Sequence, residues 1–117
     1  MGHLSTHVLD TARGCPAAGM KATLFRVEET GPLPMRSVVL NADGRADGPL
    51  LQGDALKVGR YRLAFEVAHY FRATGHALPD PAFLEVVNVD FGIADAQGHY
   101  HVPLLVSPWS YSTYRGS

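Results

Sequence analysis

Cysteine is nearly absent from this 117-residue chain, with Cys15 the single one. One thiol excludes an intrachain disulfide framework and a thiolate-rich metal site. It is compatible with a reducing compartment, and a cytoplasmic location is the expectation. An excess of one charge is also lacking. Ten Lys and Arg stand against eleven Asp and Glu, a formal net charge of -1, with no basic block. Such a balance offers no electrostatic footprint for a nucleic acid. No run approaches the roughly 18 to 20 apolar residues of a membrane span, so no membrane partner is expected. The opening residues Met1 to His7 hold neither a basic segment nor an apolar stretch, which argues against a secretory leader. The closing residues match no lipidation or organelle signal. A phosphate-cradling glycine motif is missing, and so is the Gly-x-Ser-x-Gly elbow that would present an activated serine.

What remains is enough for one domain over residues 1–117. A 46% hydrophobic fraction argues against disorder. At this length, area scaling gives roughly 6,200 Å² exposed when folded against about 18,000 Å² extended, so a core forms without staples. The hydrophobic pattern is mainly of period two, the mark of half-buried strands. Residues 5–10 read as a first strand, with Leu4, Thr6 and Val8 on one face and Ser5, His7 and Leu9 on the other. Residues 11–19 suit a turn, and 21–28 a second strand closed by Gly31-Pro32. A third covers about 36–41, followed by the turn Asn41-Ala42-Asp43-Gly44 and a short strand near 45–50. Tyr61, Leu63, Phe65 and Val67 form the clearest alternating face, and residues 66–74 suit a short helix ending at Gly75. Residues 83–91 read as a long strand, apolar enough on both faces to call for cover by a partner subunit. Strands at 100–106 and 111–114 complete the count, with Pro103 expected at an edge or bulge. Seven or eight short strands and one small helix predict an all-β sandwich.

Chemistry-bearing residues are few. Of six histidines, His99 and His101 share one strand face, and His7 projects from the opening strand beside Ser5 and Leu9. A strand histidine is most often a hydrogen-bonded surface or core residue. Two that face one pocket could instead run acid–base chemistry near neutrality, and closely spaced ones can ligate zinc. Arg45 follows the Asp43-Gly44 turn, where a solvated side chain is usual; a buried one would offer a bidentate fork to a planar acyl or imide group. Cys15, in a Gly-Cys-Pro turn, reads as a surface thiol. The chain end, Tyr111-Ser112-Thr113-Tyr114-Arg115-Gly116-Ser117, carries no charged run, and spacing alone assigns it no task.

Taken together, these segments carry a resemblance. Leu4-Ser5-Thr6-His7-Val8-Leu9-Asp10, with Gly14-Cys15-Pro16-Ala17 behind it, resembles the opening signature of the transthyretin-like family. His99-Tyr100-His101-Val102-Pro103-Leu104-Leu105-Val106-Ser107-Pro108 and the end Tyr114-Arg115-Gly116-Ser117 resemble the closing signature of its 5-hydroxyisourate hydrolase branch. Asn41-Ala42-Asp43-Gly44-Arg45 and Gly59-Arg60-Tyr61-Arg62 match as well, and Trp109 stands where tyrosine is common. The resemblance implies a transthyretin-like (prealbumin-like) β-sandwich of two four-stranded sheets with one short helix. It implies a homotetramer, a dimer of dimers with active sites at the dimer–dimer interface. It also implies hydrolysis of a small purine-derived substrate, 5-hydroxyisourate, to 2-oxo-4-hydroxy-4-carboxy-5-ureidoimidazoline, with no cofactor and no metal. Family site residues map to His7, Arg45, His101 and Ser117 as catalytic groups, and to Tyr114, Arg115 and Gly116 as substrate-binding ones. His7 is expected to activate water, Arg45 to stabilise the oxyanion, and His99 to play at most a supporting part. A non-enzymatic binding protein with a transthyretin-type central channel is the alternative.

Overall fold

The structure, a computed structural model, describes residues 1–116. Nine strands and one α-helix follow in order, with a 3-10 turn at Gly53–Ala55 after the fifth strand: β1 (His3–Asp10), β2 (Cys15–Pro16), β3 (Lys21–Glu28), β4 (Gly31–Val39), β5 (Leu51–Gln52), β6 (Gly59–Phe65), α1 (Val67–Ala73), β7 (Val87–Ile93), β8 (His99–Val106) and β9 (Tyr111–Thr113). They form two sheets. One has the order β2-β1-β8-β9, with β5 also pairing β1; the other has the order β4-β3-β6-β7. The expected sandwich with one short helix is therefore present. The first sheet gains a fifth, two-residue strand that alternation could not signal.

The period-two reading holds because each strand buries one row of side chains between the sheets. In β1, Leu4, Thr6, Val8 and Asp10 are buried, and in β6 Tyr61, Leu63 and Phe65 are wholly so. Tyr100, Val102, Leu104 and Val106 of β8 close the same layer. A single hydrophobic cluster joins the inner rows of both sheets to Val67, Tyr70 and Phe71 of α1. The folded surface is 6455 Å², near the size expected for the length. Among the described residues, no helix is long and apolar enough to cross a membrane.

Four local expectations need correction. The third strand begins at Gly31 and runs through Pro32 and Pro34, rather than starting near Arg36. As β4 is an edge strand, these prolines leave no inner ladder bond unmade, and the register shifts at Leu24/Phe25. The strand foreseen near 45–50 is reduced to one bridge, His7 to Arg45, and the paired segment is Leu51–Gln52. The long strand foreseen from Phe83 starts only at Val87, with Phe83 70% and Val86 49% exposed. Finally, β8 is internal, so Pro103 does not lie at a sheet edge. The His101 carbonyl accepts the Gly116 N–H, and in an antiparallel ladder residue 103 faces the same neighbour. There the ladder lapses between Thr113 and Gly116, so the missing proline donor costs nothing.

Topology places the chemistry. Strand β1 runs parallel to β8, with His3 opposite His99, Ser5 opposite His101 and His7 opposite Pro103. Because β1 and β8 bury their even-numbered residues, His3, Ser5, His7, His99 and His101 all project from the outer face of one sheet.

Candidate functional site

His7 and His101 stand on adjacent strands of that outer face, displaced by two residues along the ladder. Arg45 is brought to His7 by the turn before it. Asn41 Oδ1 accepts the backbone N–H groups of Asp43 and Arg45 at 2.9 and 3.2 Å, an Asx-type closure of the loop. Gly44 sits at φ +74°, and its carbonyl accepts the Val8 N–H at 2.9 Å. A Cβ on Gly44 would lie 2.5 Å from the Val8 carbonyl oxygen, so only glycine lets the loop lie this close to β1. The result is the isolated bridge between His7 and Arg45.

The charge environment of the two histidines follows. The pKa of His7 is pushed below the usual 6.5 by partial burial and then by the Arg45 cation, against an opposing backbone hydrogen bond and charge from Asp43. That of His101 is lowered by burial, then by Arg45, His7 and His3. Both rings are therefore neutral at pH 7, and each can exchange a proton with a bound molecule. His101 is held on two sides. The Ser5 hydroxyl lies 2.8 Å from its Nδ1, and the Gly116 N–H donates to its carbonyl at 2.7 Å. A Cβ on Gly116 would meet the ring Cδ2 at 2.6 Å, so glycine lets the chain end lie flat against the imidazole.

The other expected residues are placed differently. The Arg115 guanidinium lies 4.2 Å from the centre of the Tyr100 ring and donates to the His99 carbonyl at 3.2 Å. Tyr114 is 60% exposed and borders, with Arg115, Val89 and Phe91, a cleft of about 230 Å³ between β7 and the chain end. Ser117 lies outside the described residues. His99 is stacked on His3 with ring centres 4.2 Å apart, and its Nε2 is 3.1 Å from the Met1 carbonyl oxygen, so it makes no contact that orients His101. Among the described residues, no three His, Cys, Asp or Glu side chains converge to hold a metal ion. A shallow cavity of about 600 Å³ lies next to His101, at Gln97, His99, Arg115 and Gly116.

Two histidines and an arginine thus share one sheet face, and the chain as a whole can be set beside known proteins. The profile of the HIUase/Transthyretin family matches residues 4–116. The chain belongs to that family. It is 59% identical over its full length to all of the 5-hydroxyisourate hydrolase of Ralstonia nicotianae. Among solved structures, it superposes on the 5-hydroxyisourate hydrolase of Klebsiella pneumoniae with a TM-score of 0.82 and 35% identity, each chain covered completely. It also superposes on (S)-allantoin synthase with a TM-score of 0.93 and 44% identity, covering 99% of this chain and 44% of that one. The fold expected from the resemblance is thus the fold of this family.

Two neighbours of His101, Ser5 and His3, were given no role by the reading of the sequence. Ser5 was placed on the right face but given no role, and His3 was passed over. The signal that would have found them is the parallel pairing of β1 with β8, which no local pattern contains.

Proposed function

We propose that this chain is a 5-hydroxyisourate hydrolase of urate degradation, opening the substrate ring to 2-oxo-4-hydroxy-4-carboxy-5-ureidoimidazoline. The observation that carries the reading is the convergence of His7, Arg45 and His101 on one sheet face, in a family member 59% identical over its full length to a hydrolase of that name. The reaction adds water across a ring C–N bond. A water oxygen bonds to the carbonyl carbon, the bond to nitrogen breaks, and the departing nitrogen takes a proton. His7, neutral at pH 7, removes the proton from the attacking water. Arg45 stabilises the negative charge that develops on the carbonyl oxygen, where a fixed cation contributes most. The imidazolium that His7 becomes returns that proton to the leaving nitrogen, to which the N–H of neutral His101 donates a hydrogen bond. Ser117 keeps the positioning role implied by the family resemblance, and Gly116 supplies the main-chain wall beside His101.

The assembly we propose is a dimer of dimers whose halves meet on the outer face of the β2-β1-β8-β9 sheet. Support comes from the site itself, whose two histidines are only half-buried and whose arginine is exposed in one chain. A second copy on that face would exclude water and strengthen every charge interaction within. The proposed location is the cytoplasm, in keeping with the single thiol.

The deciding experiment is a rapid ultraviolet assay of freshly generated 5-hydroxyisourate in metal-free buffer. The purified protein should accelerate decay far beyond the spontaneous rate, and His101→Ala should cut turnover at least about a hundredfold. A folded protein that leaves the spontaneous rate unchanged would move the reading to a binding protein that uses the same face.

A further inference from the structure

His101 can act in one of two neutral forms, and its role depends on which nitrogen carries the proton. Its surroundings restrict that choice. The two ring atoms bonded to Cγ are both covered. Nδ1 faces the Ser5 hydroxyl at 2.8 Å, and Cδ2 lies against Gly116, whose added Cβ would approach it to 2.6 Å. The edge formed by Cε1 and Nε2 is the one left for a substrate. Ser5 is half-buried beside His101 in the ladder, and among the described residues its hydroxyl has this ring nitrogen as its one hydrogen-bond partner. An O–H that donates to Nδ1 satisfies both atoms. An Nδ1–H that donated to the hydroxyl would leave the serine hydrogen with no protein acceptor there.

The geometry points to Ser5 as the positioning residue of His101: its hydroxyl donates to Nδ1, holds the ring's own proton on Nε2, and so presents His101 to the substrate as a hydrogen-bond donor. This rests on the hydrolase reading above and divides the labour within it. A ring that already carries its proton on the outer nitrogen cannot take one from water there. His7 is then the base and, once protonated, the acid for the leaving nitrogen, while the Nε2–H of His101 holds that nitrogen by a hydrogen bond. Ser5 reaches the chemistry only through His101, and Gly116 closes the opposite side of the ring.

The test combines a spectrum with kinetics. Long-range proton–nitrogen correlation of the histidines at neutral pH should give His101 the Nε2–H tautomer in the native protein. Ser5→Ala should shift that signal towards a mixture of tautomers and lower kcat by between about ten- and a hundredfold, with KM changed far less. Ser5→Thr keeps a hydroxyl and should restore both the signal and most of the rate. An active native enzyme with an Nδ1–H tautomer would overturn the assignment. So would a Ser5→Ala enzyme with kcat within twofold of native, or a Ser5→Thr enzyme as slow as Ser5→Ala. Should Ser5→Ala fail to fold, the native spectrum and Ser5→Thr still decide the matter. A native protein with the Nε2–H tautomer but no acceleration of 5-hydroxyisourate decay would sink the hydrolase reading while leaving the hydrogen bond in place.

Discussion

Arg45 acts on this face in two ways that an experiment can separate. Its charge lies close enough to lower the pKa of both His7 and His101, and its side chain is exposed in the single chain. The sign of the resulting pH dependence is fixed. A base must be neutral, so activity falls as pH drops through the His7 pKa, and because that value lies below 6.5 the acid limb lies below 6.5 too. Arg45→Gln removes the positive charge and lets both histidines bind protons more readily. Its residual kcat/KM should be lower by at least about a hundredfold, and its acid limb should move up towards the ordinary histidine value. A pH series of kcat/KM for native and variant protein checks both statements. An acid limb that stays in place would mean that the cation does not act on the histidines. At this scale the family resemblance named His7, Arg45 and His101, and the fold brings the three to one sheet face. What the sequence could not supply is the Ser5–His101 contact, made between residues 96 positions apart.

The single helix illustrates how one element is tied to the frame that carries the site. Strand β1 ends at Asp10, whose carboxylate is fully buried. One oxygen accepts the Tyr70 hydroxyl of α1 at 2.8 Å, and the other accepts the Arg13 N–H at 2.9 Å. Burial, and then the hydrogen bond and charge of Asp10, push the Tyr70 phenol up to about 12, so it stays protonated and remains a donor throughout the working range. Tyr70→Phe would leave a buried carboxylate oxygen without its partner, a loss of about 1–3 kcal/mol. Urea unfolding should give a lower midpoint with an unchanged slope. An unchanged midpoint would show that water replaces the phenol at no cost. Elements as such were largely legible in the sequence, because alternation is a local property: β3 spans the expected residues 21–28, and α1 lies within the expected 66–74. Misreadings occurred where tertiary context overrides local pattern. Gly31-Pro32 reads as a break, yet an edge strand tolerates both Pro32 and Pro34. The alternating residues from Phe83 to Val86 read as strand, yet they find no neighbour to pair with.

At the scale of the molecule, the open question of physical interest is what covers the outer face of the β2-β1-β8-β9 sheet. Beside the polar group, Leu9 and Leu105 are paired in register and half-exposed on that face, a small apolar patch adjoining the site. If two dimers meet there, Leu105→Glu would put an unpaired charge into the interface, at a cost of several kcal/mol per ion after relaxation. In sedimentation, the native protein should run near four times the 12.6 kDa chain mass and the variant near twice. Its circular dichroism should be unchanged, since residue 105 contributes nothing to the core between the sheets. Turnover should fall together with assembly, because the dissociated face is open to water. Val39→Glu, on the opposite sheet at a residue 66% exposed, is the matched control and should keep both mass and rate. A Leu105→Glu protein that dissociates and retains full turnover would place a complete site in the dimer. One that remains four times the chain mass would move the contact to another face. Either outcome would separate the chemistry of His7, Arg45 and His101 from the assembly proposed to enclose it.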